Sequence, residues 1–226
     1  MRVLVTGGAG YIGTHIVRFL LEKGHDPIII DNQSSGKKNF LRKILKAPLI
    51  MGNVGDKDLM LEILEGTHIS LKNTIHYGNM VEAVIHLASH SSVEESIKNP
   101  LKYYSNNVSE SISLFEVITS ERIRTKRLDK KPIPIVFSST CATYGIPEKI
   151  PISENEIQRP INPYGESKLM IEKIIKDLST ATGMRSVILR YFNAAGASED
   201  NLLGDFRTND KHLIPLAIRS ILSDDI

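Results

Sequence analysis

The chain has 226 residues, 41% hydrophobic and 24% charged, with a formal net charge of +2. That is an ordinary globular composition, long enough for a core of its own, and the charge is too small to point to nucleic acid or another polyanion. Its one cysteine, Cys141, excludes an internal disulfide, and no apolar run reaches the length of a membrane span, so a cytoplasmic, reducing setting is expected. A first strand starting at Arg2 leaves no room for a signal peptide.

Residues 2–6 read as a buried strand, and residues 11–23 as a helix with Ile12, Ile16, Phe19 and Leu20 on one face and Gly24 as its stop. Residues 27–31, with three isoleucines, form a second strand, and 49–51 a weak third. Asp56 caps a helix through Glu65. Residues 66–80 are polar and irregular, and read as a surface insertion. A fourth strand covers 83–88. Asn99 and Pro100 open a helix to about Thr119. The densest basic stretch, Arg122, Arg124, Lys126, Arg127, Lys130 and Lys131, reads as a solvated helix end and linker. Residues 133–138 are a fifth strand, 163–180 a helix followed by Gly183, and 186–190 a sixth strand. Strands alternating with helices predict an α/β fold, a doubly wound and mostly parallel sheet with helices on both faces.

Gly7-Gly8-Ala9-Gly10-Tyr11-Ile12-Gly13 joins the first strand to the first helix. Glycines there permit a tight turn and let the backbone approach a pyrophosphate, and the helix N-terminus supplies N–H groups and a partial positive charge. Asp31 ends the second strand, close to the roughly 20-residue spacing of an acidic residue that binds a ribose 2′-hydroxyl. A carboxylate repels a 2′-phosphate, so NAD is expected over NADP.

Tyr164 and Lys168 are four residues apart in a predicted helix and share a face. An ammonium beside a phenol favours the phenolate, so the tyrosine is expected to have a lowered pKa and to act as a base. Thr140 follows the fifth strand, at the carboxyl end where open α/β sheets hold ligands, and its hydroxyl can share a proton with Tyr164.

These segments resemble the extended short-chain dehydrogenases of Rossmann type, whose catalytic trio is matched by Thr140, Tyr164 and Lys168. Asn162-Pro163-Tyr164-Gly165-Glu166-Ser167-Lys168, the run from Arg190 to Ala197, and His212-Leu213-Ile214-Pro215 are similar to the UDP-glucose 4-epimerase family in particular. The resemblance implies epimerisation at C4 of a UDP-sugar, of the UDP-glucose/UDP-galactose type. Tyr164 would take the 4-hydroxyl proton while hydride passes to NAD, and hydride would return to the other face of a rotated 4-keto sugar. It implies NAD contacts at Gly7, Gly10, Tyr11, Ile12, Gly13, Asp31, Asn32, Gln33, Ser34, Ser35, Gly36, Asn53, Val54, Leu87, Ala88, Ser89, Ser91, Asn106, Tyr164, Lys168 and Phe192. Substrate contacts are implied at Thr140, Tyr164, Asn193, His212 and Leu213. No metal is expected. A homodimer is implied through the helices starting at Pro100 and Pro163.

The chain departs from that family in places. Asn53 stands where the family has Asp, Ser89 and Ser91 where it often has Gly and Lys, and Thr140-Cys141-Ala142 lacks the Asp-Glu pair of the 4,6-dehydratases, which disfavours dehydration. His90 reads as a solvated loop histidine and Cys141 as a small packed residue. Residues 1–197 are expected to form the NAD-binding domain and 198–226 the start of a truncated substrate lobe. The alternative is a non-catalytic or inactive NAD-binding relative. A third reading is a sugar reductase, which would show net NADH turnover.

Overall fold

The computed structural model describes residues 1–34, 46–75, 77–205 and 213–223. Six strands form one sheet: β1 (Arg2–Thr6), β2 (Asp26–Asp31), β3 (Leu49–Met51), β4 (Ala83–His86), β5 (Ile135–Thr140) and β6 (Ser186–Tyr191). Every neighbouring pair is parallel, in the order β3-β2-β1-β4-β5-β6. The order reverses between β1 and β4, and a ligand crevice opens beyond the carboxyl ends at such a switch point. The doubly wound expectation is met.

Around the sheet lie α1 (Tyr11–Glu22), α2 (Lys57–Glu65), α3 (Val93–Lys98), α4 (Pro100–Tyr103), α5 (Glu110–Thr119), α6 (Glu121–Lys126), α7 (Pro163–Thr182) and α8 (Leu213–Ser223). Alternation along β2 divides the core: Ile28 and Ile30 join Met60, Ile63, Leu114, Phe115 and Ile171 on one face, while Ile29 joins Val3, Val5 and Val17 on the other. Both faces of the sheet are covered, which is why its central strands are apolar along their middles, Val3 to Val5 in β1 and Val84 to Ile85 in β4.

Three boundaries differ from expectation, each near the crevice. β4 stops at His86 rather than residue 88: the Leu87 N–H is shared between the Thr6 carbonyl at 3.1 Å and the Thr6 hydroxyl at 3.2 Å, and the Ala88 N–H goes to that hydroxyl at 3.2 Å. β5 runs two residues further along the chain than expected. Pro134 has no N–H for the ladder, and pairing with β6 continues to Thr140 opposite Tyr191. Thr140 therefore closes the strand instead of following it. The helix over residues 100–119 is α-helical only at its ends, with Tyr104–Ser109 winding as a wider π-helical turn.

Two surface segments are tied to the body more closely than their sequences suggest. Residues 66–80 are anchored to the body, with Leu71 fully buried and the Gly78 N–H on the Gly66 carbonyl at 2.8 Å. The basic stretch is, as expected, an exposed helix end and linker: it begins as helix α6, capped by the Ser120 hydroxyl on the Ile123 N–H, and two of its exposed cations have a buried partner. Arg122 grips the buried Glu65 carboxylate with two bonds, at 2.7 and 2.9 Å, and Lys126 reaches it at 2.7 Å.

Those cations, Arg122 foremost, hold Glu65 down from 4.5 to about 2. The folded value lies below the unfolded one, so this contribution is complete above about pH 4.5 and is lost as pH falls towards 2. Glu65→Gln is expected to lower the urea midpoint at pH 7, with a deficit that shrinks on acidification through that window. A deficit of equal size at pH 7 and pH 2.5 would show that the charge of Glu65 is not what stabilises the fold.

Candidate active site

The cofactor end is built by the turn after β1. The Gly7 N–H donates to the Ile30 carbonyl at 2.9 Å, and the Gly7 carbonyl accepts the Gly10 N–H at 3.1 Å, folding the turn over β2. Gly10 caps α1 without a side chain, so the helix start is left open to an anion. A Cβ on Gly13 would stand 2.4 Å from the Gly7 carbonyl oxygen and 2.6 Å from the Gly8 Cα, so only glycine lets α1 sit this close to the turn. Tyr11 and Ile12 form the first turn of α1, half-buried, and the Tyr11 hydroxyl donates to the Gly196 carbonyl at 2.7 Å.

Asp31 ties the glycine turn to the chain that follows β2. One carboxylate oxygen accepts the Ala9 N–H at 3.0 Å, the other the Gln33 N–H at 2.6 Å, and burial pushes its pKa up against these two bonds. Gln33 takes a positive φ of 55°, turning the chain after β2, and the Asn32 side chain accepts the Ser34 N–H at 3.0 Å. Asn32 also donates to the Asn53 side-chain oxygen at 2.7 Å. Two residues expected at the cofactor thus meet directly. An aspartate at 53 could accept the same bond, so the substitution leaves this link intact. Val54 is buried beside them in the core. Ser35 and Gly36 lie outside the described residues.

The loop after β4 carries Leu87, Ala88 and Ser89, half-buried, and Ser91, exposed. The π turn supplies its anchor: the Asn106 and Asn107 side-chain oxygens both accept the His90 N–H, at 3.2 and 2.9 Å, and the Asn107 amide returns to the His90 carbonyl at 3.1 Å. An extra residue in that turn places neighbouring asparagines on one loop. His90 is therefore not a solvated histidine. Its ring packs on Tyr103 at 5.6 Å, and burial lowers its pKa.

Beneath the loop runs a buried relay that pattern reading missed. The Thr6 hydroxyl accepts the Leu87 and Ala88 N–H groups, so its own proton goes to His86 Nδ1 at 2.7 Å. His86 Nε2–H then donates to Ser111 at 2.9 Å, and Ser111 to the Asn107 carbonyl. Burial, with the Lys168 charge second, pushes His86 down to about 3, so it stays neutral and acts as a fixed tie.

The trio converges at the end of β5. Asn162 caps α7 through the Gly165 N–H at 2.8 Å, and Pro163 follows it at the first helical position. A Cβ on Gly165 would stand 2.5 Å from the Ala142 carbonyl oxygen, so glycine next to Tyr164 permits α7 to close on the turn that follows Thr140. The Tyr164 ring meets Tyr103 edge-to-face at 6.3 Å. Lys168 is buried, donates to the Ser138 carbonyl at 2.8 Å and lies 4.8 Å over the Phe137 ring.

The expected lowering of the tyrosine pKa is not found in the chain alone. Burial pushes Tyr164 up, the Thr140 hydroxyl pulls it down by hydrogen bonding, and Cys141 raises it. Lys168 points one of its N–H donors at the Ser138 carbonyl, and burial drives its pKa down to about 7. Beyond β6, Phe192 and Asn193 are exposed. Thr140 pairs with Tyr191, so both follow directly from the strand end beside the trio. Leu213 opens α8 with its side chain 81% exposed, and His212 lies outside the described residues.

A nucleotide turn, an acidic residue at the end of β2 and a Thr–Tyr–Lys set at the end of β5 form one crevice edge. Residues 3–225 match the model of the NAD dependent epimerase/dehydratase family. The chain belongs to that family. It is 41% identical over 225 residues to the UDP-glucose 4-epimerase of Lactobacillus helveticus, covering 100% of this chain and 61% of that protein. The UDP-glucose 4-epimerase of Brucella ovis in complex with NAD superposes with a TM-score of 0.84 at 38% identity, covering 99% of this chain and 61% of that one. The Bifidobacterium longum enzyme in complex with NAD+ and UDP gives 0.80 at 34% identity, covering 99% and 63%. This family member spans about 60% of the length of the curated relatives it matches. Among the described residues, no helix is long and apolar enough to cross a membrane.

Proposed function

We propose that this protein binds NAD and takes part in epimerisation at C4 of a UDP-sugar, of the UDP-glucose/UDP-galactose type, in the cytoplasm. The observation that carries it is the placement of Thr140 at the end of β5 beneath the first turn of α7, where Tyr164 stands and a Cβ on Gly165 would lie 2.5 Å from the Ala142 carbonyl oxygen, in a sheet whose β1 turn and Asp31 fit a dinucleotide. The fit is physical: an uncapped helix start, a turn in which a Cβ would collide with backbone, and a carboxylate whose oxygens each still have a lone pair for a ribose hydroxyl.

In this reading Gly10, Tyr11, Ile12 and Gly13 hold the diphosphate, Asp31 the adenosine ribose, and Asn32 and Asn53 flank the adenine. Bound NAD supplies the hydride acceptor and a positive charge beside the phenol. Thr140 orients the sugar 4-hydroxyl by donating and accepting, and Tyr164 takes its proton. Lys168, seated on the Ser138 carbonyl, directs its remaining N–H donors towards the cofactor side. Phe192 and Asn193 border the sugar. Residues 1–197 form the cofactor domain, and 198–226 begin the substrate side. Self-association through the faces of α4, α5 and α7, where Leu101, Ile112 and Met170 are exposed, belongs to the same proposal.

A coupled assay of UDP-galactose to UDP-glucose conversion by the purified chain tests this. Conversion without net NADH release is expected; net NADH accumulation would mark a reductase instead. The second reading, a non-catalytic NAD-binding relative, rests on exposed Ser91 standing where the family often carries a lysine. It predicts NAD binding with no conversion.

A further inference from the structure

Tyr164, Lys168 and Glu172 recur every fourth residue along α7 and form one stripe against the end of β5. Each faces a different part of that end: Lys168 donates to the Ser138 carbonyl, Glu172 accepts from the Ser139 hydroxyl, and Tyr164 sits where α7 closes on the turn that follows Thr140. Glu172 is fully buried and both its oxygens are occupied. Oε1 accepts from Ser139 and from Arg190 Nε at 3.0 Å, and Oε2 from Gln158 at 3.0 Å and Arg190 Nη2 at 2.8 Å. Arg190 continues the network, donating to the Tyr144 hydroxyl at 2.7 Å and the Glu154 carbonyl at 3.1 Å.

A buried ion pair of this kind adds little net stability over apolar side chains of the same size, so its presence suggests a role in fixing geometry. Its bonds join four segments: the β5 end beside Thr140, α7, the β6 end two residues before Phe192, and the loop after β5. We infer that Glu172 is a positioning residue: through Ser139 and Arg190 it holds the end of β5 against α7, fixing where the Thr140 hydroxyl stands relative to the Tyr164 phenol. This rests on the reading of Tyr164 as the base. No bond is made by Glu172 to the phenol itself.

The inference makes Glu172 govern how readily Tyr164 ionises. The groups facing that phenol are Thr140 and Cys141 from the β5 end, Tyr103 from α4 with His90 packed behind it, and Lys168 one turn along α7. Clamp variants leave all of these in place, so a change in titration reports their arrangement.

The test places 3,5-difluorotyrosine, whose phenol titrates near neutrality, at position 164 of the NAD-loaded chain and follows it by 19F NMR. Ser139→Ala and Glu172→Gln are expected to raise the apparent pKa by about one unit, about tenfold less phenolate at a given pH. The double variant Glu172→Gln/Arg190→Gln removes the orphaned guanidinium. It is expected to regain melting temperature while the titration stays displaced. A parent-like titration in Ser139→Ala overturns the inference. So does a double variant in which the titration recovers together with stability, since that marks a merely structural role. If Glu172→Gln does not fold, Ser139→Ala decides, because it leaves the ion pair intact. This readout needs no turnover. Failure of the epimerase reading shows itself separately, as sugar conversion that survives Tyr164→Phe.

Discussion

Tyr164→Phe is expected to lower UDP-sugar conversion by about 10²–10⁴-fold, the range for removing a positioned general base, while NAD affinity stays nearly unchanged. The change removes one hydroxyl and keeps the ring, so the edge-to-face contact with Tyr103 and the packing of α7 remain. Steady-state conversion and NAD titration on the same preparations separate the two effects. The site is built so that this hydroxyl matters: burial alone makes the phenol a poor base, and Thr140 partly offsets it. In the proposed reaction, positive charge brought with NAD would supply the remaining bias towards phenolate. Conversion retained at the parent rate in the variant would remove Tyr164 from the chemistry.

Gly13→Ala is expected to have the largest effect on the cofactor turn. The added Cβ would lie 2.4, 2.6 and 2.8 Å from backbone atoms of Gly7 and Gly8, which cannot move aside as a side chain does. Overpacking of this sort costs about 1–3 kcal/mol, and about 2–4 °C of melting temperature accompanies each kcal/mol in a chain of this size. The relief available is to push α1 away from the turn, which takes the helix N–H groups off the diphosphate. NAD affinity should therefore fall by at least about tenfold, the equivalent of about 1.4 kcal/mol. Gly24→Ala is the control. Its Cβ meets nothing within 4 Å, though its φ of +72° makes the substitution strained. It should lower stability at the far end of α1 and leave NAD affinity intact. Parent-like NAD binding by Gly13→Ala would show that the turn does not hold the cofactor.

Much of the fold was legible because its signals are short-range. A buried parallel strand shows as a continuous apolar run, as in residues 28–30, and Gly7 to Gly13 combines a strand end, a turn and a helix start within seven positions. The Tyr164–Lys168 spacing needs only helical periodicity to place both on one face. Short helices escaped, α3 and α6 among them, since six residues show little periodicity. Their caps, Ser92 and Ser120, each followed by acidic residues in the first turn, were the available signal. The π turn escaped because nothing in Tyr104–Ser109 distinguishes it locally; the Asn106–Asn107 pair matters only through the loop it holds.

By itself, then, the sequence determined the order of the strands and of the longer helices, the glycine turn, Asp31 and the identity of the hydroxyl, phenol and ammonium groups, since each follows from spacing along one element. Tertiary structure decided what those groups are. Burial overrode the expected lysine effect on Tyr164, because Lys168 turns to the Ser138 carbonyl. The buried Glu65 carboxylate found its partners in the exposed cations of a helix 57 residues away. The clamp joining Ser139, Glu172 and Arg190 exists only because β5, α7 and β6 pack side by side. Charge and hydrogen bonding act through space, and their strength depends on how much water the packed chain excludes.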